Sequence, residues 1–227
     1  MKKIILQAKK LQKSFYYPAQ VTILKNLNLV VHRGETVAIM GRSGQGKSTL
    51  LQILGTLEKP CSGELTIADQ TISRFNCGKI RNQHIAFIFQ SFHLLEDYSA
   101  LENILMPARI ARNPTSKESQ AYQHALYLLE RVGLTDRAHF NTKLLSGGEK
   151  QRVAIARALC NDPDIIFADE PSGNLDKQTA QDIHKTLLDF AHERDKTLII
   201  VTHDPDLAAL CSTRYILENG ELTGKVL

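Results

Sequence analysis

Gly41-Arg42-Ser43-Gly44-Gln45-Gly46-Lys47-Ser48 follows the apolar run Thr36-Val37-Ala38-Ile39-Met40 and leads into Thr49-Leu50-Leu51. The spacing is GxxxxGK[ST] in the order strand, glycine-rich turn, helix, which is the context a phosphate-binding loop requires. Glycines let the backbone curl until successive N–H groups face inward at phosphate oxygens. The helix predicted over 47–54 adds its positive N-terminal end. Lys47 has the reach and charge for β- and γ-phosphates, and Ser48 offers a hydroxyl to Mg²⁺. Arg42, Ser43, Gln45 and Thr49 complete the cradle. At about 4 Å and an effective dielectric near 20, one lysine–phosphate pair is worth about 4 kcal/mol before desolvation. A glycine-rich turn alone can be only a turn; the flanking strand and helix make it a nucleoside-triphosphate site.

Outward from this loop, 21–31 reads as a strand, and His32-Arg33-Gly34-Glu35 turns the chain into the strand at 36–40. Further strands are predicted at 63–67 and 85–89. The period then changes. Ser99-Ala100-Leu101-Glu102 is a capping box that should open a helix, and Ser146-Gly147-Gly148-Glu149 is a second, opening one that runs to about 159. Between them a helix is predicted over 116–132, with Ala125, Leu128, Leu129 and Val132 on one face. A buried strand at 165–168, a helix over 177–194 and a strand at 197–201 follow. Asp204-Pro205 caps a short helix, and 215–217 precedes a hairpin turn at Gly220. Strands alternating with helices imply an α/β fold with a mostly parallel sheet covered on both faces. The expectation is one domain over 1–227, with a helical segment at roughly 91–160 inserted into it.

Two more segments carry chemistry. Ile165-Ile166-Phe167-Ala168-Asp169-Glu170 is an apolar strand ending in two carboxylates, at the sheet edge where α/β folds bind ligands. Asp169 is placed to hold Mg²⁺, and Glu170 is the candidate general base for an attacking water. Alone, such a pair is an ordinary helix cap; beside the 41–48 loop it becomes a hydrolytic pair. Leu145-Ser146-Gly147-Gly148-Glu149 joins a serine, two glycines and a helix N-terminus, which can form a second anion site.

These segments resemble the ABC ATPases, whose signature is LSGGQ or a close variant, and the resemblance covers essentially the whole chain. It implies a P-loop NTPase fold of the RecA-like kind, with an N-terminal antiparallel β subdomain and the inserted helices. It also implies a head-to-tail homodimer, with ATP and Mg²⁺ between the 41–48 loop of one subunit and Ser146, Gly147 and Gly148 of the other. In that resemblance Gln90 senses Mg²⁺ and the γ-phosphate. Ser172-Gly173-Asn174-Leu175-Asp176 is the loop that crosses the seam, and His203 is the switch histidine at the γ-phosphate. Among eight His residues only His203 is singled out. Phe15 takes the place of the adenine-stacking aromatic, with Tyr16 and Tyr17 as alternatives. Glu170-Pro171-Ser172-Gly173-Asn174-Leu175-Asp176 narrows the resemblance to the branch containing the LolD, MacB and FtsE ATPases. The segments Phe89-Gln90-Ser91-Phe92-His93-Leu94-Leu95 and Tyr98-Ser99-Ala100-Leu101-Glu102-Asn103-Ile104-Leu105-Met106-Pro107 are most similar to the lipoprotein-releasing LolD type. Phe92, Leu94, Leu95 and Leu101 are then expected to line a groove for a LolC/LolE-like permease at the cytoplasmic face of the inner membrane.

Composition bounds the alternatives. With 43% hydrophobic and 23% charged residues and a net charge of +4, the chain reads as an ordinary globular domain. Its Lys and Arg are spread along the sequence, against a nucleic-acid partner. The stretch between Ser48 and Ser146 holds no sustained heptads of the kind DNA-linked ABC ATPases carry. Cys61, Cys77, Cys160 and Cys211 form no CxxC pair and read as reduced thiols. No run approaches the roughly 18 apolar residues of a membrane span, so a separate chain is expected to do the crossing. An FtsE-like regulatory ATPase and a MacB-like efflux ATPase share every catalytic residue with the transport reading.

Overall fold

The computed structural model describes residues 3–16, 18–193 and 195–226, with the backbone alone at 225 and 226. Two sheets organise it. The first is antiparallel, in the order β2 (Val21–His32), β1 (Ile4–Phe15), β4 (Ser62–Ile67), β5 (Gln70–Thr71). The second runs β10 (Glu221–Val226), β9 (Thr213–Glu218), β3 (Thr36–Met40), β8 (Thr197–Val201), β7 (Ile165–Asp169), β6 (Ile85–Ile88). All its neighbours are parallel except the β9–β10 hairpin. The result is a mostly parallel sheet joined to a separate antiparallel β unit, as the α/β reading expects.

The two-residue period of the strands assigns their side chains to two cores. Val37 and Ile39, Ile165 and Phe167, Ile199 and Val201 face the antiparallel sheet and α1 (Lys47–Leu54), burying Leu50, Leu51, Ile53 and Leu54. Ala38, Ile166, Ala168, Leu198 and Ile200 face the other way. They pack with α3 (Ala100–Ile110), α4 (Gln120–Arg131), α5 (Gly147–Leu159) and α6 (Lys177–Glu193). Helices α3 to α5 all lie between β6 and β7 in the chain.

Three details differ from expectation. The helix expected from 116 begins at Gln120, because Ser119 caps it: its Oγ accepts from Tyr122 N at 3.2 Å and donates to Ser116 O at 2.7 Å. Helix α2 (Cys77–His84) has no counterpart in the sequence reading, since its segment is polar and buries only Ile80. Leu101 is 4% exposed inside the helical core, so it lines no groove. Phe92 and Leu94 are half-buried and Leu95 is exposed.

Candidate active site

Strands β3, β7 and β8 end on one edge of the sheet, and each carries a piece of the site there. The loop after β3 is shaped by steric limits only glycine meets. A Cβ on Gly46 (φ +91) would lie 2.3 Å from Ile23 Cγ2, and one on Gly41 would lie 2.5 Å from the Leu217 carbonyl oxygen. Gln45 ties the loop to the β9–β10 turn, its Oε1 accepting from Asn219 N at 3.0 Å. Lys47 is buried and donates to Gly41 O at 2.8 Å and Arg42 O at 3.3 Å, so its ammonium spans the mouth of the loop. Arg42, Ser43, Gly44 and Ser48 are exposed, and Thr49 is half-buried.

Asp169 closes β7 opposite Val201, the last residue of β8. Its Oδ1 accepts from Ser48 Oγ at 3.1 Å. Burial pushes the Asp169 carboxyl above its ordinary value, the Ser48 bond working against that rise and repulsion from Glu170 adding to it. Glu170 sits at φ +44, in the left-handed region that few non-glycine residues occupy. That geometry is held by its N–H, which donates to Val201 O at 3.0 Å. Its Oε2 accepts from Thr202 Oγ1 at 3.2 Å and His203 N at 3.3 Å, and His203 Nδ1 lies 2.9 Å from Oε1. The Glu170 side chain is 16% exposed while the His203 ring is 73% exposed. The carboxylate is thus aimed and shielded, and the imidazole stands in the open beside it.

Gln90, past the end of β6, donates from Nε2 to Asn174 Oδ1 at 3.2 Å, and Asn174 Nδ2 donates back to Gln90 O at 3.3 Å. Gly173 makes this approach possible, since a Cβ there would be 2.9 Å from Gln90 Nε2. Asp176 spends its carboxylate on Thr179, accepting from N at 3.1 Å and Oγ1 at 2.6 Å as a cap of α6. Those two bonds hold it below the usual carboxylate range. Phe15 ends β1 opposite Val21, two residues from the Ile23 that packs on Gly46. The Phe15 ring is 42% exposed with Lys13 Nζ 4.9 Å from its centroid; Tyr16 is 69% exposed, and Tyr17 lies outside the described residues.

The other predicted anion site is elsewhere. Ser146 caps α5, its Oγ accepting from Glu149 N at 3.3 Å while its N–H donates to Glu149 Oε2 at 2.8 Å. Ser146 and Gly147 are exposed. Neighbours of the two glycines are Phe92, Leu175 and Thr179. Among the described residues no hydrogen bond joins 146–148 to 41–48. Within one chain the 41–48 loop and the N-terminus of α5 are therefore separate, with Ser146 and Gly147 exposed.

The family model for ABC transporters matches residues 24–173. The chain belongs to the ABC transporter family. This ABC ATPase binds and hydrolyses ATP. It is similar to the lipoprotein-releasing system ATP-binding protein LolD of Protochlamydia amoebophila, with 64% identity over 217 residues, covering 96% of this chain and 95% of that one. LolD of Idiomarina loihiensis is 45% identical over 223 residues, 96% of each chain. Among solved structures, the dimeric post-hydrolysis state of the ATP-binding cassette MJ0796 bound to ADP and Pi superposes with a TM-score of 0.89. It has 38% identity and covers 98% of both chains.

Several contacts that shape this ABC ATPase site escaped the sequence reading. Thr202 and Asn174 bond directly to Glu170 and Gln90. Gln151, fully buried in α5, donates to Pro171 O at 2.6 Å. Its signal was a polar residue on the buried face of a helix, two positions past a capping glutamate. Among the described residues no helix is long and apolar enough to cross a membrane.

Proposed function

We propose that this chain is the ATP-hydrolysing subunit of a membrane complex that releases lipoproteins, working as a head-to-tail homodimer. The observation that carries the hydrolytic part is the convergence of Ser48, Asp169, Glu170 and His203 at adjoining strand ends. Phe15 stacks on the adenine, and the loop at 41–48 with Lys47 holds the phosphates. Ser48 and Asp169 supply the paired hard oxygen donors that suit Mg²⁺, which takes one or two protein oxygens and completes its shell with phosphate and water. Among the described residues no group of three or more His, Cys, Asp or Glu is arranged to hold a metal ion by itself, so a cation there leans on phosphate oxygens for the rest. Bound Mg²⁺ would neutralise charge on the β- and γ-phosphates. Gln90, held by Asn174, is the residue that senses that group. Glu170 accepts a proton from water as its oxygen bonds to the γ-phosphorus and the bond to the ADP oxygen breaks. His203 donates to the γ-phosphate, and Ser146, Gly147 and Gly148 of a second copy close over it, with Asp176 at the seam.

The lipoprotein reading rests on the likeness to the LolD proteins over nearly the full chain. It implies a peripheral place at the cytoplasmic face of the inner membrane, on LolC/LolE-like permease subunits. Glu170→Gln is expected to abolish turnover and leave ATP binding intact; near-normal hydrolysis would refute the assignment of the base. Purifying the chain from membranes should recover a lipoprotein-extracting permease. Recovery of a cell-division permease would replace transport with the regulatory reading.

A further inference from the structure

His184 lies in α6 with 4% exposure, on a face otherwise built from Ile183, Leu187 and Leu188. Its Nε2 is 2.6 Å from Ser172 Oγ and 3.9 Å from Asp204 Oδ2. Ser172 stands two residues after Glu170; Asp204 follows His203 and caps α7 (Pro205–Ala209) through Asp206 N and Leu207 N. The imidazole therefore sits beneath both loops that present the hydrolytic pair. A cavity of about 330 Å³ is lined by Glu170, Ser172, His184, His203 and Asp204.

We propose that His184 is a positioning residue for hydrolysis: its bond to Ser172 fixes the turn that aims the Glu170 carboxylate. This rests on the reading of Glu170 as the base. A left-handed glutamate persists only where its surroundings over-determine it. The turn is pinned at four of its residues, by Val201 O at Glu170 N, Gln151 at Pro171 O, His184 at Ser172 Oγ and Gln90 at Asn174. Of these anchors, only the His184 bond fastens a side chain of the turn to the buried face of a helix. Burial pushes the imidazole below its ordinary pKa, with Asp204 and Asp206 opposing, so at neutral pH it meets the serine hydroxyl uncharged.

The test compares His184→Phe, which keeps the ring volume without the bond, with His184→Gln, which keeps a polar group at the ε position, and with Ser172→Ala. Turnover, KM for ATP and melting temperature are measured on the purified full chain. His184→Phe and Ser172→Ala are each expected to lower kcat about tenfold, since a misplacement near 1 Å can cost about a hundredfold. KM for ATP should stay within about twofold, because the 41–48 loop is untouched. The double variant should be no slower than either single one, and His184→Gln should recover most of kcat. Unchanged kcat in His184→Phe, additive losses in the double variant, or a KM that rises with the kcat loss would overturn the proposal. If His184→Phe does not fold, Ser172→Ala gives the same split. Glu170→Gln separates the layers: if it still turns over, the base reading fails and this inference with it. If it is inactive while His184→Phe is unaffected, only the role of His184 fails.

Discussion

Helices α3 and α5 open on the same device and use it for opposite ends. Ser99 and Glu102 exchange bonds at 3.2 and 2.9 Å, and Ser146 and Glu149 at 3.3 and 2.8 Å. What differs is the pair of residues between them. Ala100 and Leu101 are 0% and 4% exposed, so the α3 cap faces the core. Gly147 and Gly148 leave the α5 amides uncovered, and a Cβ at Gly148 would strike Thr179 Cγ2 at 2.6 Å. A capping box fixes where a helix starts. The residues at its first two positions decide whether that start is a wall or, as proposed for α5, open enough to receive an anion.

The same charge placed at the two first positions should break the molecule in opposite ways. Ala100→Asp buries an unpaired carboxylate and is expected to cost several kcal/mol, enough to unfold a marginal domain; thermal denaturation reads it. Gly147→Asp has room, with Leu175 Cδ2 at 3.5 Å, and should fold normally. Its charge would instead repel phosphate and lower turnover by about a hundredfold or more, the scale set by losing one oxyanion donor. A folded Ala100→Asp, or an active Gly147→Asp, would erase the distinction.

A milder pair sharpens it. Ser99→Ala and Ser146→Ala should each cost about 1 kcal/mol of stability. Only Ser146→Ala should also lower kcat, seen by comparing melting curves with steady-state hydrolysis. The smallest effect concerns pH. The Ser99 and Ser146 bonds hold the Glu102 and Glu149 carboxyls below their ordinary values. Depressed carboxylates contribute stability that is present above the unfolded pKa and lost as pH falls through the folded one. Glu102→Gln and Glu149→Gln should therefore each flatten the acid limb of a stability profile, by similar amounts despite their different surroundings.

Most strands of the parallel sheet, two strands of the antiparallel one and the helices around the loop were legible because their patterns are local: strand alternation, glycine spacing, serine caps. Strand β1 was harder. Its register shifts around Lys10, which lies at φ +50, and the alternation of Leu6 and Ala8 breaks there to resume out of phase at Leu11 and Lys13. Motif residues were placed by the strands that carry them, but their partners were not. Thr202 meets Glu170 from just past the end of the neighbouring strand, and Asn174 meets Gln90 from 84 positions away. His184 was invisible for another reason. A lone histidine on the apolar face of an amphipathic helix reads as core, and its serine partner lies outside that helix.

In the proposed homodimer, the 41–48 loop of one chain and residues 146–148 of the other complete a site that neither chain holds alone. The most direct measurement is the solution mass of Glu170→Gln with and without ATP, repeated with Gly147→Asp added. Twice the mass of one chain is expected with ATP, one chain without it, and one chain in the double variant whether ATP is present or not. A mass that ignores ATP, or a dimer that survives Gly147→Asp, would contradict it.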